Sequence, residues 1–195
     1  MLSFLILAVS LFTLAAAQVF TLTTFNPNGP LNGQKIQASG QAFYLGLDRP
    51  TTYCPEINGL VCPNATETVL AGALSAMYVN VPGGQQTYVR SAGSLGYTQA
   101  HSASVPAGAY RGGFVNVTIS TDCEADVNVF TWKDPDELTE GVLACPDVPS
   151  YMENIATYQI FARTPGFNLT DCVKLEGLQA TILPEPAPFG AWQYV

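Results

Sequence analysis

The sequence predicts an all-β protein that folds as a single-domain antiparallel β-sandwich or β-barrel. Three observations support this fold class. The 195 residues include 17 glycines and 14 prolines, an excess of the residues that form turns. Only 11% of the residues are charged, which is too few for a helical bundle or a coiled coil. Short runs of alternating apolar and polar residues recur between the turns, and no linker or repeat divides the chain.

The predicted strands follow one another at short intervals. The period of two is clear in residues 127–132, where Phe130 and Trp132 share a face that we expect to be buried. Pro82-Gly83-Gly84 turns the chain between two strands of a predicted antiparallel meander. In chain order the predicted strands are residues 19–25, 41–47, 76–81, 86–90, 94–98, 108–119, 127–132, 157–162, 178–183 and 191–195.

Three local features qualify this interpretation. A helix over residues 66–77 is an alternative, but Gly72 interrupts the segment and no amphipathic face runs its full length. Gly112-Gly113 inside a strand-like run predicts a bulge or a sharp bend. Trp192 lies in the last predicted strand, where we expect its ring to close the core.

Residues 1–17 are predicted to be a signal peptide, because an almost wholly apolar run ends in Ala15-Ala16-Ala17. The run is shorter than a membrane-spanning helix, and a buried strand or an anchor is the disfavoured alternative. Residues 18–195 are then expected to form a single β domain that is secreted, and either extracellular or associated with a cell wall. We expect no membrane contact.

The five cysteines become interpretable in an oxidising compartment, where four should pair and one should remain. Cys54 and Cys62 bracket the short loop PEINGLV and are the favoured pair. Cys145 and Cys172 would close a second loop, leaving Cys123 free or linked to another chain. The alternative pairing of Cys123 with Cys145 would leave Cys172 unpaired.

Three Asn-x-Thr sequons begin at Asn64, Asn116 and Asn168. Behind a signal peptide they predict at least one glycosylated surface position. Asn116 lies inside a predicted strand and can be modified only if its side chain points outward.

The net charge of −8 argues against a nucleic-acid partner. A single histidine and five largely paired cysteines leave too few ligands for a zinc or copper site, so we expect no metal and no cofactor. His101 is adjacent to Ser102, and Asp122 follows, but no GxSxG elbow accompanies them. We therefore expect His101 to be structural and no residue to be catalytic.

Nearly half of the acidic residues lie in residues 122–140. A solvated loop is the favoured interpretation. A calcium loop in DPDELTE would need glycine at the sixth position, where Thr139 stands, and a glycosidase pair would need two carboxyls about 5–10 Å apart across a cleft. The acidic residues of this segment are Asp122, Glu124, Asp126, Asp134, Asp136, Glu137 and Glu140.

Several strings in the chain resemble one family. These are NGQKIQASGQAFYLG, VPGGQQTYV, SLGYTQAHSASVPAGAY, GVLACP and a terminal AWQY. Together they resemble the small secreted fungal proteins known as IgE-binding proteins, which are related to the phialide-associated cell-wall protein. The resemblance implies a β-structured secreted or wall-associated protein, with allergens or plant-interaction effectors among its members and no established reaction. It also implies shared cysteines at Cys54, Cys62, Cys145 and Cys172, and it says nothing about Cys123.

We therefore expect a glycosylated, disulfide-bonded, non-catalytic protein that acts in surface display, binding or host interaction. The expected partners are a wall polysaccharide or a host protein, IgE in sensitised hosts, and a second copy of the chain. The alternatives are a carbohydrate-active enzyme that uses two of the acids, and a sugar-binding module. A sugar-binding module predicts a row of exposed aromatic rings on one sheet face.

Overall fold

The computed structural model describes residues 18–120, 125–136 and 138–195. In this part of the chain the regular secondary structure consists of β-strands, which turns and loops connect. The all-β fold class is therefore confirmed, while the predicted signal peptide lies outside the described residues. The strands in that part are β1 (Val19–Phe25), β2 (Gln37–Ser39), β3 (Ala42–Leu45), β4 (Thr52–Tyr53), β5 (Leu70–Ala71), β6 (Ala76–Met77), β7 (Gln85–Val89), β8 (Leu95–Tyr97), β9 (Phe114–Ile119), β10 (Val127–Trp132), β11 (Val142–Cys145), β12 (Tyr158–Ala162), β13 (Val173–Leu175), β14 (Gly177–Ile182) and β15 (Gln193–Tyr194).

Thirteen of these strands form one antiparallel sheet that curls around the core like half a barrel. Its order is β13-β11-β12-β3-β8-β7-β6-β5-β1-β14-β10-β9, with β2 paired to β3. The last strand, β15, pairs with β4 in a separate two-stranded sheet. Among the described residues no helix has the length and apolar composition needed to cross a membrane.

Side chains from both halves of the curled sheet meet in one core. Phe20 of β1 stacks on Phe130 of β10 with ring centroids 5.2 Å apart, and Trp132 is fully buried. The predicted burial of Phe130 and Trp132 is confirmed. Trp192 is only half-buried, so its assignment to the core is wrong, because the next residue but one, Tyr194, fills that place.

Two strands match their predicted bounds and the others differ from them; β9, for example, begins at Phe114, six residues after the predicted start. β1 and β10 begin and end where the sequence predicts, and the meander β6-β7-β8 is confirmed. The helical alternative for residues 66–77 is wrong: β5 and β6 pair as a hairpin, with Gly72 and Leu74 at positive φ in the turn. The chain forms β2, β4, β5, β11 and β13 at places where no strand is predicted.

Gly113 provides the sharp bend that its sequence context predicts, just before β9. Its φ of 90° is a conformation that residues with a side chain rarely adopt. A Cβ atom at this position would also lie 2.6 Å from Nε1 of Trp132. Glycine therefore allows β9 to begin directly against the core tryptophan.

The structure has two disulfides, and both have the pairing that the sequence favours. Cys54 and Cys62 close the loop that follows β4, with Cα atoms 6.1 Å apart. Cys145 at the end of β11 is joined to Cys172 just before β13, with Cα atoms 4.2 Å apart. Cys123 lies outside the described residues, and its state stays a prediction.

Three buried tyrosines make the fold sensitive to alkali. Burial raises the pKa of Tyr44 to about 12 and raises the pKa values of Tyr97 and Tyr194 further above their ordinary value of 10.0. Because the unfolded chain ionises first, the stability linked to these groups is complete below pH 10 and is lost as the pH rises above it.

We therefore expect alkaline unfolding above pH 10, in which part of the tyrosinate absorbance near 295 nm appears only together with the loss of circular dichroism. The chain has nine tyrosines, and Tyr44, Tyr97 and Tyr194 should ionise only together with unfolding. Ionisation of all nine near pH 10, with the fold intact, would contradict this expectation.

Candidate functional site

A groove of about 210 Å³ lies where the last strand of the chain meets two turns of the large sheet. Gly40 and Gln41 form the turn between β2 and β3, and Gln99 follows β8. The remaining wall is the C-terminal segment with β15. We call this the C-terminal groove, and it is lined by Gly40, Gln41, Gln99, Gln193, Tyr194 and Val195.

Backbone hydrogen bonds hold the C-terminal segment in the wall of the groove. The Gly40 amide donates to the carbonyl oxygen of Val195 over 2.9 Å, and the hydroxyl of buried Tyr97 donates to the same oxygen over 3.2 Å. The Val195 amide donates to the carbonyl oxygen of Thr51 over 3.0 Å. The segment is therefore bonded to the sheet on both sides.

Buried Gln85 binds the strand β15 from inside. Its Nε2 donates to the carbonyl oxygens of Thr98 (2.8 Å) and Tyr194 (3.0 Å), and its Oε1 accepts the Tyr194 amide over 2.8 Å. The Tyr194 hydroxyl in turn donates to the Glu67 carbonyl and accepts the Val69 amide. These bonds fix Tyr194, and with it the neighbouring Gln193 that faces the groove.

The groove is polar but carries no charged side chain among the six described residues that line it. Gln41 and Gln193 are half-buried and Gln99 is exposed. Each primary amide offers two donors and one carbonyl acceptor. These amides can hydrogen-bond a ligand that is rich in hydroxyl groups.

Two exposed tyrosine rings flank the C-terminal groove. Tyr53 of β4 lies directly opposite Gln193 in the β15–β4 pair, so the two side chains share a face, and Tyr53 is 53% exposed. Tyr151 is 71% exposed, and its hydroxyl lies so close to Gly40 that a Cβ there would be 2.9 Å from it. Glycine is favoured at position 40 both by this close approach of Tyr151 and by its positive φ of 56°.

Sequence reasoning did not single out the glutamines of this groove. They come from three of the strings that carry the family resemblance: Gln41 from NGQKIQASGQAFYLG, Gln99 from SLGYTQAHSASVPAGAY and Gln193 from AWQY. The strings are far apart in sequence, and they are brought together by the pairing of β15 with β4, by its bonds to Gln85 and by the bonds of Val195.

The residues considered for a catalytic triad do not converge in the described structure. His101 is exposed in the loop after β8, with a φ of 61°. The Ser102 hydroxyl accepts the Ser104 amide over 3.1 Å. Asp122 lies outside the described residues.

Strand β10 runs through the acidic segment, and all but one of the acidic residues that the structure describes there are exposed to solvent. Asp126, Asp136 and Glu140 are exposed, but Asp134 is 2% exposed and its Oδ1 accepts the Asp136 amide over 3.3 Å. The Asp134 side chain is therefore buried rather than solvated. Within the described part of the chain no three metal-ligating side chains lie close enough to hold an ion. Glu124 and Glu137 lie outside the described residues.

Two carboxylates do share a groove, on the opposite face of β9 and β10 from the core. Glu140 and Glu176 line a groove of about 390 Å³ together with Lys133 and Lys174. All four side chains are exposed. Only Glu140 belongs to the predicted acidic segment, and the lysines balance the charge of the pair.

All three sequon asparagines are exposed. Asn64 follows the Cys54–Cys62 loop and Asn168 precedes Cys172, both outside any strand. Asn116 lies in β9 on the same face as buried Phe114, but beyond the end of the core. Because its side chain is exposed, Asn116 is accessible to modification although it lies in a strand.

Comparison with known proteins gives a consistent result along the chain. A family model described as that of PhiA-like secreted proteins matches residues 20–195. An uncharacterized secreted protein of Arthroderma benhamiae is 41% identical over 164 residues, which cover 82% of this chain and 76% of the relative. No solved structure matches the chain.

Proposed function

Because the chain belongs to the family of PhiA-like secreted proteins, we propose that it is a non-catalytic fungal secreted protein whose C-terminal groove binds a neutral polysaccharide of the cell wall. Secretion follows from the family itself. The choice of ligand rests on the groove and is the step that experiment must test.

One observation carries the proposal: three glutamine side chains line a groove that two exposed tyrosine rings flank. Sugar rings present hydroxyl groups at their rim and C–H groups on their faces. Amide side chains hydrogen-bond the hydroxyl groups, and aromatic rings pack against the C–H faces. The volume of about 210 Å³ suits one or two sugar units of a longer chain.

In this proposal the protein is displayed at the wall surface. Contact with host proteins, and with IgE in sensitised hosts, is then a consequence of its extracellular position. Neither contact requires the C-terminal groove, so each can be measured independently of polysaccharide binding.

We expect Tyr151→Ala to weaken binding about fivefold, because stacking by one aromatic ring is worth about 1 kcal/mol. The probes are insoluble chitin, β-1,3-glucan and mannan, each tested in a depletion assay with the purified secreted protein. Wild-type protein should bind at least one of them. Gln193→Ala should weaken the same interaction, because it removes a groove amide without touching the core.

Two variants serve as controls for this experiment. Tyr151→Phe keeps the ring and should bind like the wild type. Ile155→Ala removes a 57% exposed apolar side chain from the same segment and should also leave binding unchanged. Absence of wild-type binding to all three polymers, or equal loss in the Ile155 variant, would refute the groove as a sugar site.

The groove with Glu140 and Glu176 favours a second candidate, a carbohydrate-active enzyme. A general acid of this kind needs burial to raise its carboxyl pKa, and both side chains are exposed, so we rank this candidate second. Hydrolysis of the same polymers that is abolished by Glu140→Gln would replace the binding proposal with the enzymatic one.

A further inference from the structure

The two edges of the thirteen-stranded sheet are protected to different degrees. At one edge, β13 has only three residues and carries exposed Lys174 at its centre. At the other edge, β9 has six residues, none of which is charged or proline. Short strands, lysine and proline are the usual means of keeping sheet edges apart. By these criteria β13 is protected and β9 is not.

The free edge of β9 also has an apolar face. Among the described residues β10 is its sole strand partner. Val115 is 36% exposed, and Val117 and Ile119 are half-buried on the same face. A six-residue edge strand with no charged residue or proline of its own is a template for pairing with a second copy.

A glycosylation sequon occupies the centre of this unprotected strand. Asn116 and Thr118 lie on the opposite face from Val115 and are both exposed. The Thr118 hydroxyl donates to Oδ1 of Asn128 on β10 over 2.8 Å. A sugar attached to Asn116 would therefore stand at the edge itself.

The surface beside Asn116 can seat the first sugar of such a glycan. Asn116 lines a groove of about 300 Å³ whose other walls include Asp126, Asn128 and Gln179. These side chains can hydrogen-bond the acetamide and the hydroxyls of an N-acetylglucosamine unit. Ile182 lies in the same groove and is 51% exposed, which offers an apolar contact for the sugar ring.

We propose that an N-linked glycan on Asn116 covers the edge strand β9, with its first sugar in this groove, and thereby prevents pairing between the sheets of two copies. The modification joins Nδ2 of Asn116 to the anomeric carbon of the sugar. The diphosphate of a lipid-linked oligosaccharide donor leaves, and the amide loses one proton.

The other two sequons provide an internal comparison. Asn64 and Asn168 lie outside any strand, so neither glycan is attached to the unprotected edge strand β9. Removing either sequon should not change the association of the protein. The proposal is independent of the C-terminal groove, which lies on other strands.

The test compares protein secreted by a fungal host with the same chain made in a bacterial periplasm, which is oxidising but does not attach these glycans. Peptide mass spectrometry should find Asn116 occupied in the fungal product, which should be monomeric by light scattering. The bacterial product, and fungal Asn116→Gln, should at least double in mass as concentration rises. Adding Val115→Lys to either should restore the monomer.

Asn64→Gln is the matched control and should stay monomeric. All masses are measured with and without reductant, because a disulfide through Cys123 would also produce a dimer. Each of three results would overturn the proposal. These are an unmodified Asn116 in the fungal product, a monomeric bacterial product, and a dimer that reductant converts to monomer. Since the bacterial product carries the wild-type sequence, poor secretion of Asn116→Gln does not prevent this test.

Discussion

Gln85→Leu is expected to lower the free energy of unfolding by about 3–5 kcal/mol, because it removes three buried hydrogen bonds. Leucine has a similar volume but no polar atoms. The Tyr194 amide and the carbonyls of Thr98 and Tyr194 would lose their partner, and each unsatisfied buried group costs about 1–3 kcal/mol. Equilibrium denaturation in urea, followed by fluorescence, measures the effect.

The adjacent residue provides the control for this experiment. Gln86 lies on the same strand but is exposed, and its Oε1 accepts a bond from the exposed Arg111 guanidinium. Gln86→Leu should therefore cost less than about 1 kcal/mol. Equal effects of the two variants would show that Gln85 does not hold β15. A selective loss at Gln85 should also weaken polysaccharide binding, since Gln193 depends on the position of Tyr194.

The sequence predicts the strands whose residues alternate over six or more positions, and for a physical reason. In β10 the period of two places Phe130 and Trp132 on the core face. In β1 consecutive residues are buried at both ends, and its bounds follow instead from its run of β-branched and aromatic residues. Strands of two or three residues, such as β4 and β5, have no measurable period. They exist because a neighbouring strand offers backbone partners, which is a property of the tertiary fold.

The C-terminal groove could not be predicted, because its glutamines are distant in sequence and none has a recognisable motif. The sequence pointed instead to the acidic segment, since clustered charges are visible along a chain while converging amides are not. Trp192 illustrates the same difficulty within one strand. Its ring is expected to close the core because it lies in the last predicted strand, but β15 begins only at Gln193, and it is Tyr194 that is buried while Trp192 is half-buried.

Removing the Cys145–Cys172 bridge by a double Cys→Ala substitution should cost about 3.5 kcal/mol, on the loop-entropy estimate for a separation of 27 residues. This bridge ties the end of β11 to the beginning of β13, the short edge strand of the sheet. Cys145 is buried beside Leu143 and Phe161, so its loss also removes packing contacts. We expect the midpoint of thermal unfolding to fall accordingly, as calorimetry can measure.

The Cys54–Cys62 bridge gives the matched comparison, since it closes a loop with a separation of only eight residues and lies outside the core. Its removal should cost about 2.5 kcal/mol, less than the longer bridge. Because β4 precedes this loop and pairs with β15, the same variant should affect polysaccharide binding more than the Cys145–Cys172 variant does. A larger loss of stability on removing the shorter bridge would contradict the loop-entropy argument. It would indicate that the β4–β15 region beside the C-terminal groove, rather than the edge at β13, limits the stability of the fold.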